Sequence, residues 1–564
     1  EDSKAYVAHM GGKGDFFSNE KSVTLDKDQK VTIALNGKEL TSIDAIAGEV
    51  LDGTFMSIAA LRAFYKQTIE DAKAKGLIWS LHLKATMMKI SDPIMFGHAF
   101  EIFFADVFAK YADTFKEVGV NPNMGMSGLE KKIAGHAQEA EIKAAFQAAV
   151  DSDAPKIAMV DSDKGQTNFN ASNDVIIDAS MPVVVREGGK QWDRTGAALE
   201  TVAVIPDSTY AMFHEEMVAD CVKNGQYDVT TMGTMQNIGL MAQKAEEYGS
   251  HPTTFELAEA GTVTVTGEDG VLMSFECEAG DIWRLARTKD IPIRDWVRLT
   301  VERTRLEGIP AVFWLDENRA HDAELIKKVN EYLKDFDTSG LDIQFMKVTD
   351  ATRFTNERIR RGENTIAVTG NVLRDHLTDM YPILELGTSA KMLSIVPLIA
   401  GGGLYETGAG GSAPKHVDQF LAEGHLRWDS LGEFLALAES LRFIGQKHDD
   451  AKLKALTEGL DEANNGYLDN SKEPGRKVGQ PDNKASHFFL AQYWAEALAN
   501  GSDAELAEKF APVAKALKEN EEKIMEELLA VEGQPQDVGG YFHPNDELAA
   551  KAMRPSATLN AIID

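Results

Sequence analysis

Three apolar runs, AVFWL (311–315), DIQFM (342–346) and TIAVTG (365–370), are each followed by residues at helical spacing; after the first, Ile326, Val329 and Leu333 mark one face. Strand followed by helix, repeated, is the pattern of βαβ units and predicts an α/β protein containing parallel sheet. Elsewhere Val31, Ile33 and Leu35 alternate with polar residues and end at Asn36-Gly37, a hairpin signal. The spacing predicts a helix over 54–75 and a buried strand in LIWSLHLKA (77–85), which delivers Lys84 at its end. Ile157 to Val160 and Val175 to Ile177 read as further strands, the second delivering Asp178 at its exit, where α/β proteins place chemistry. A β-meander is predicted from Phe255 to Trp283, turning at Glu268-Asp269-Gly270. Beyond residue 385 the pattern is mostly helical, with Ser502-Asp503-Ala504-Glu505 reading as a capping box, so a domain boundary is placed there.

At 564 residues the chain exceeds what one core sustains, roughly 250–300 residues, so two or more domains are expected. A formal net charge of −31 without a concentrated basic patch argues against nucleic acid or an anionic membrane as partner. Two cysteines, Cys221 and Cys277, are too few for a disulfide framework and lack C-x-x-C spacing, which points to a reducing compartment. No apolar run reaches the roughly 18 residues of a membrane span, and the polar, acidic start is not a targeting peptide. Neither G-x-x-x-x-G-K-[ST], H-E-x-x-H, G-x-S-x-G nor G-x-G-x-x-G after a strand occurs, which removes the readings those motifs carry.

The densest chemistry lies in Arg374-Asp375-His376-Leu377-Thr378-Asp379. Four residues apart, Asp375 and Asp379 share a helix face and repel; a divalent cation with oxygen ligands would relieve them. Arg374 beside them suits the carboxylates of a ligand. The bland alternative is a solvated helix face. Asp178 can supply a third carboxylate, or merely cap a turn. Gly408 to Gly411 with Ser412, Pro414, Lys415 and His416 can bring backbone N–H groups and a helix N-terminus to phosphate, or form a plain surface turn. Lys84 and Tyr248 are acid–base candidates whose ordinary roles would be a solvated amine and a packing ring.

Read from Asn371, NVLRDHLTDMYPILELGTSAKMLSIVPLIAGGGLYETGAGGSAPKHVDQFLAEGHLRWDSLGEF resembles the monomeric NADP-dependent isocitrate dehydrogenases, as do LHLKATMMKISDPIMFGHAF from Leu81, VDSDKGQTNFNASNDVIIDASMP from Val160, MAQKAEEYGSH from Met241 and the closing RPSATLNA. The resemblance implies an isocitrate/isopropylmalate dehydrogenase-like α/β fold: two domains with a cleft between them, mixed sheet plus β-meander, and a helical C-terminal region. Residues 1–385 would form the substrate and metal domain and 386–564 the NADP-binding one. It further implies oxidative decarboxylation of isocitrate to 2-oxoglutarate with NADP and Mg²⁺ or Mn²⁺. Asp178, Asp375 and Asp379 would be the metal ligands; Lys84, Tyr248 and Arg374 would contact substrate, the first two catalytic; and Ser412, His416, Arg427, Trp428, Asp429 and Arg476 would hold NADP. A monomer is implied, with a homodimer as the alternative, in the cytoplasm or, for a eukaryotic source, the mitochondrial matrix. Members of that family are longer at the N-terminus, where a Ser- and Arg-containing stretch helps to hold substrate; nothing here resembles it, and a fragment, a cleaved form and a natural shortened relative are all open. The rival reading is a non-catalytic relative that binds metal and an anionic ligand without turnover.

Overall fold

The computed structural model of the protein describes residues 3–84, 91–152, 155–240, 251–386, 394–397, 403–406, 413–540 and 543–564. Ala311, Val312, Phe313, Ile366, Ala367 and Val368 are fully buried, as strands covered on both faces must be, and their runs are continuous rather than alternating for that reason. Ile343–Met346 lies parallel to Ala311–Trp314, which pairs in parallel with Thr365–Gly370, then Met235–Leu240, then Ser394–Pro397. Helices Ala320–Tyr332 and Val348–Arg360 make the crossovers, and Thr365–Gly370 runs straight into helix Asn371–Leu386. The six-residue acidic segment therefore begins at the C-terminal edge of a parallel strand, the edge at which open α/β sheets bind ligands.

A second parallel set orders Tyr6–Ala8, Ala198–Val204, Ile78–Leu81 and Lys156–Ile157. Its Ile78–Leu81 strand ends just short of Lys84, with Leu83 making one parallel bridge to Ile176. Beyond that bridge the predicted strand at 175–177 does not form. Ser172–Val175 is a 3₁₀ turn, and helix Ile177–Arg186 starts at once, so Asp178 occupies a helix's first turn rather than a strand exit. Three apolar residues are too few for either periodicity to declare itself. The predicted strand over 157–160 is likewise two short ones, Lys156–Ile157 and Met159–Asp161, the latter paired with Gln166–Thr167.

The turn Asn36-Gly37 forms as read, with φ of 51° and 79°, joining Gln29–Leu35 to Lys38–Ala45. The predicted meander does not stay in one sheet. Hairpin Gly261–Gly267 and Gly270–Cys277 adds to Gln29–Leu35, whereas Thr254–Glu256 pairs with Ile282–Thr288, which pairs in turn with Val50–Met56. The two antiparallel sheets share a core that includes Val31, Ile33, Val263, Phe275 and Trp283. Strand Val50–Met56 also takes the first residues of the predicted 54–75 helix. That helix runs Ile58–Lys75, and Ser57 caps it by accepting from Ala60 N.

The chain divides into one compact unit, Glu1–Gly387 with Ser394–Leu404, and another, Thr388–Leu393 with Tyr405–Asp564. The second is helical among its described residues from Ala413–Glu423 onward, with Phe488, Phe489, Leu517, Ile524 and Leu528 in its core. At helix Ala504–Glu519 the capping residue is Asp503, whose carboxylate accepts from Leu506 N, and not the Ser502 of the predicted box. Cys221 and Cys277 are both free thiols.

Helix Ser208–Asn224 carries a buried acid at its start. Asp207 accepts from Thr209 N at 3.1 Å, yet burial and then the charge of Asp15 push its carboxyl from the ordinary 3.8 up to about 6. The folded state thus holds a proton that the unfolded chain releases near pH 4, and stability falls as pH rises from about 4 to 6. Asp207→Asn keeps an oxygen for the cap and removes the charge. Its melting temperature should gain on the parent's across that window, by at most about 3 kcal/mol in stability, and level off above it. A difference that does not change with pH would contradict this.

Candidate active site

Five predicted residues converge in the first unit. Lys84, 4% exposed at the end of its strand, places Nζ 2.8 Å from Asp375 Oδ2 and in direct contact with Asp178 Oδ2. Arg374 directs Nε and Nη2 onto Asp375 Oδ1, at 3.1 and 2.8 Å. Asp379, one turn further along helix Asn371–Leu386, has its carboxyl pushed well above the usual range, first by burial and then by the charges of Asp178 and Asp375; Lys84 and Arg374 oppose the shift. Three carboxylates share the space with two cations, so one negative charge is left over when all are ionised. An all-oxygen donor set of this kind fits Mg²⁺ or Mn²⁺.

Behind the carboxylates stand histidines that the sequence did not single out. His376 Nε2 lies 3.7 Å from Asp178 Oδ1, and its Nδ1 lies 3.0 Å from His214 Nε2. His82 sits between Ser80 Oγ at 2.9 Å and Ser180 Oγ at 2.7 Å, and burial pushes it down to about 3. Only His376, inside the acidic segment, had a sequence signal; His82 and His214 lie in ordinary buried strand and helix contexts. Gly239 makes a different contribution. A Cβ there would lie 2.4 Å from Arg374 Cδ, so the strand Met235–Leu240 needs glycine for Arg374 to pass.

In the second unit, helix Ala413–Glu423 brings His416 to Trp428, with ring centroids 5.6 Å apart. Burial and the Arg427 guanidinium hold His416 below the ordinary imidazole range. His416 Nδ1 and Arg427 Nε are both buried without a hydrogen-bond partner among the described residues. Two orphaned groups of this kind, side by side, fit an anionic ligand such as a phosphate. Arg476 is exposed and follows Gly475, whose carbonyl lies 2.9 Å from His425 Nε2, which sets its loop against the segment carrying Arg427. Asp429 is a structural acceptor as well, taking Leu431 N at 3.0 Å and Tyr467 Oη at 2.9 Å. Tyr248 and Ser412 lie outside the described residues.

The family model of monomeric isocitrate dehydrogenase matches residues 1–564. The chain belongs to the monomeric isocitrate dehydrogenase family. It is 54% identical over 572 residues to the NADP isocitrate dehydrogenase of Azotobacter vinelandii, covering 100% of this chain and 77% of that protein. The corresponding enzyme of Corynebacterium efficiens is 53% identical, with 78% of it covered, and isocitrate dehydrogenase [NADP] 2 of Mycobacterium tuberculosis 51%, with 77% covered. In this member of the family, Gly239→Ala should displace Arg374 and raise the isocitrate KM while leaving the NADP KM unchanged. Unchanged isocitrate kinetics in a folded variant would show that the close approach is not needed.

Proposed function

We propose that this protein catalyses oxidative decarboxylation of isocitrate to 2-oxoglutarate with reduction of NADP, dependent on Mg²⁺ or Mn²⁺. The observation that supports it most is the meeting of Asp178, Asp375 and Asp379 around Lys84 and Arg374 in a member of a family whose relatives are named NADP isocitrate dehydrogenase. The three aspartates would hold the ion. When bound, the metal supplies Lewis acidity toward the substrate's hydroxyl and later its ketone, and NADP accepts the hydride.

Arg374, its guanidinium plane set by Asp375, binds a substrate carboxylate. Lys84 is held by two carboxylates, so its Nζ is oriented before substrate arrives; as the neutral amine it takes the proton of the substrate hydroxyl and becomes the ammonium. Tyr248, by the family resemblance, protonates the enolate left after CO₂ departs. In the second unit His416, Arg427 and Arg476 read the 2′-phosphate of NADP, and Ser412, Trp428 and Asp429 complete that site. The first unit takes substrate and metal, the second takes cofactor, and the protein acts as a monomer. No helix among the described residues is long and apolar enough to cross a membrane.

The purified protein, given isocitrate, NADP and Mn²⁺, should form NADPH and 2-oxoglutarate in equal amounts. Lys84→Met should lower kcat by roughly 100-fold or more, the scale of general acid–base catalysis. Metal binding without turnover in the parent would favour the non-catalytic relative instead. Arg476→Gln, losing one charge-assisted hydrogen bond, should weaken NADP roughly 10- to 150-fold and spare NAD. Equal losses for the two cofactors would remove Arg476 from the 2′-phosphate.

A further inference from the structure

The two histidines behind Asp178 are more than filler. His214 is 0% and His376 1% exposed, and each ring is backed by an aromatic one, Phe213 and Tyr210 respectively, both at 4.9 Å between centroids. Neither imidazole can turn without repacking. Burial, with a smaller contribution from nearby His82, pushes His214 down to about 3, so it is neutral and carries a single N–H.

The position of that proton is decided by its surroundings. On Nε2 it is donated to His376 Nδ1, 3.0 Å away. On Nδ1 it would be a buried donor with no partner, because no hydrogen bond reaches that atom among the described residues. Once His214 donates, His376 must accept on Nδ1 and carry its own proton on Nε2, aimed at Asp178 Oδ1 at 3.7 Å. Any other arrangement strands the His214 proton. At that distance the N–H and the carboxylate attract as dipole and charge, short of a formed hydrogen bond.

We propose that His214 is a positioning residue for the metal site: acting through His376, it fixes the orientation of the Asp178 carboxylate as a cation ligand. This rests on reading Asp178, Asp375 and Asp379 as the site for Mg²⁺ or Mn²⁺. Hydrogen bonds to ligating groups hold them in register, and losing such a partner typically costs about 10- to 100-fold in metal affinity. His214 stands on helix Ser208–Asn224, apart from the helices that carry the three aspartates, so it can be altered without touching a ligand.

The test is direct Mn²⁺ titration of the purified protein, without isocitrate or NADP, following free Mn²⁺ by electron paramagnetic resonance. His214→Leu should bind Mn²⁺ about 10- to 100-fold more weakly. His214→Gln, whose amide nitrogen reaches the depth of Nε2, should stay close to the parent, whereas His214→Asn, which places its amide at the depth of Nδ1, should behave as His214→Leu. Melting temperatures in chelator separate packing from donation, because a packing role would lower stability in step with Mn²⁺ affinity, whereas lost donation lowers the affinity without a matching loss of stability. Parent-like affinity in His214→Leu, or equal loss in Gln and Asn, overturns the proposal. If His214→Leu does not fold, the Gln–Asn contrast decides alone. A parent that takes up no Mn²⁺ overturns the metal-site reading itself.

Discussion

Repulsion among Asp178, Asp375 and Asp379 is the constraint around which the candidate site is organised. Left alone, three carboxylates sharing a buried site would not all stay ionised: burial first, and then the charges of Asp178 and Asp375, push Asp379 up. Lys84 and Arg374 answer two of the three charges, and they do so from buried positions where pairing matters more than at a surface. The leftover charge is what a divalent ion would meet.

The backbone contributes unevenly to this balance. Asp178 is the second residue of helix Ile177–Arg186, where the exposed N–H groups of the first turn favour a negative charge. Asp379 stands nine residues into helix Asn371–Leu386, beyond the reach of that field. The strands matter for placement. Ile78–Leu81 delivers Lys84, Thr365–Gly370 delivers the helix with two of the aspartates, and Met235–Leu240 gives up a side chain at Gly239 so that Arg374 can pass.

Much of this was legible in the sequence, for identifiable reasons. Strands buried on both faces announce themselves as apolar runs, so Ala311–Trp314 and Thr365–Gly370 were readable, and the Asn36-Gly37 turn carries its own chemistry. The Asp375 and Asp379 pair was readable because four-residue spacing has one meaning on a helix. What failed was short or nonlocal. Residues 175–177 are too few to show a period, the 254–288 strands divide between two sheets by pairings hundreds of residues away in some cases, and Ser57 was absorbed into a helix it terminates. His214 reaches the site across 162 residues of chain through one hydrogen bond, a relation that no local pattern encodes.

The most direct test of a site held together against its own charge is to remove one carboxylate and compare melting with and without metal. Asp379→Asn keeps the shape and deletes a repelled charge. In chelator the variant should melt above the parent, because a penalty has been lifted; in saturating Mn²⁺ the order should reverse, because a ligand has been lost. A variant that melts below the parent in both conditions would contradict the account, since it would mean that Asp379 stabilises the fold and was never held there for a cation.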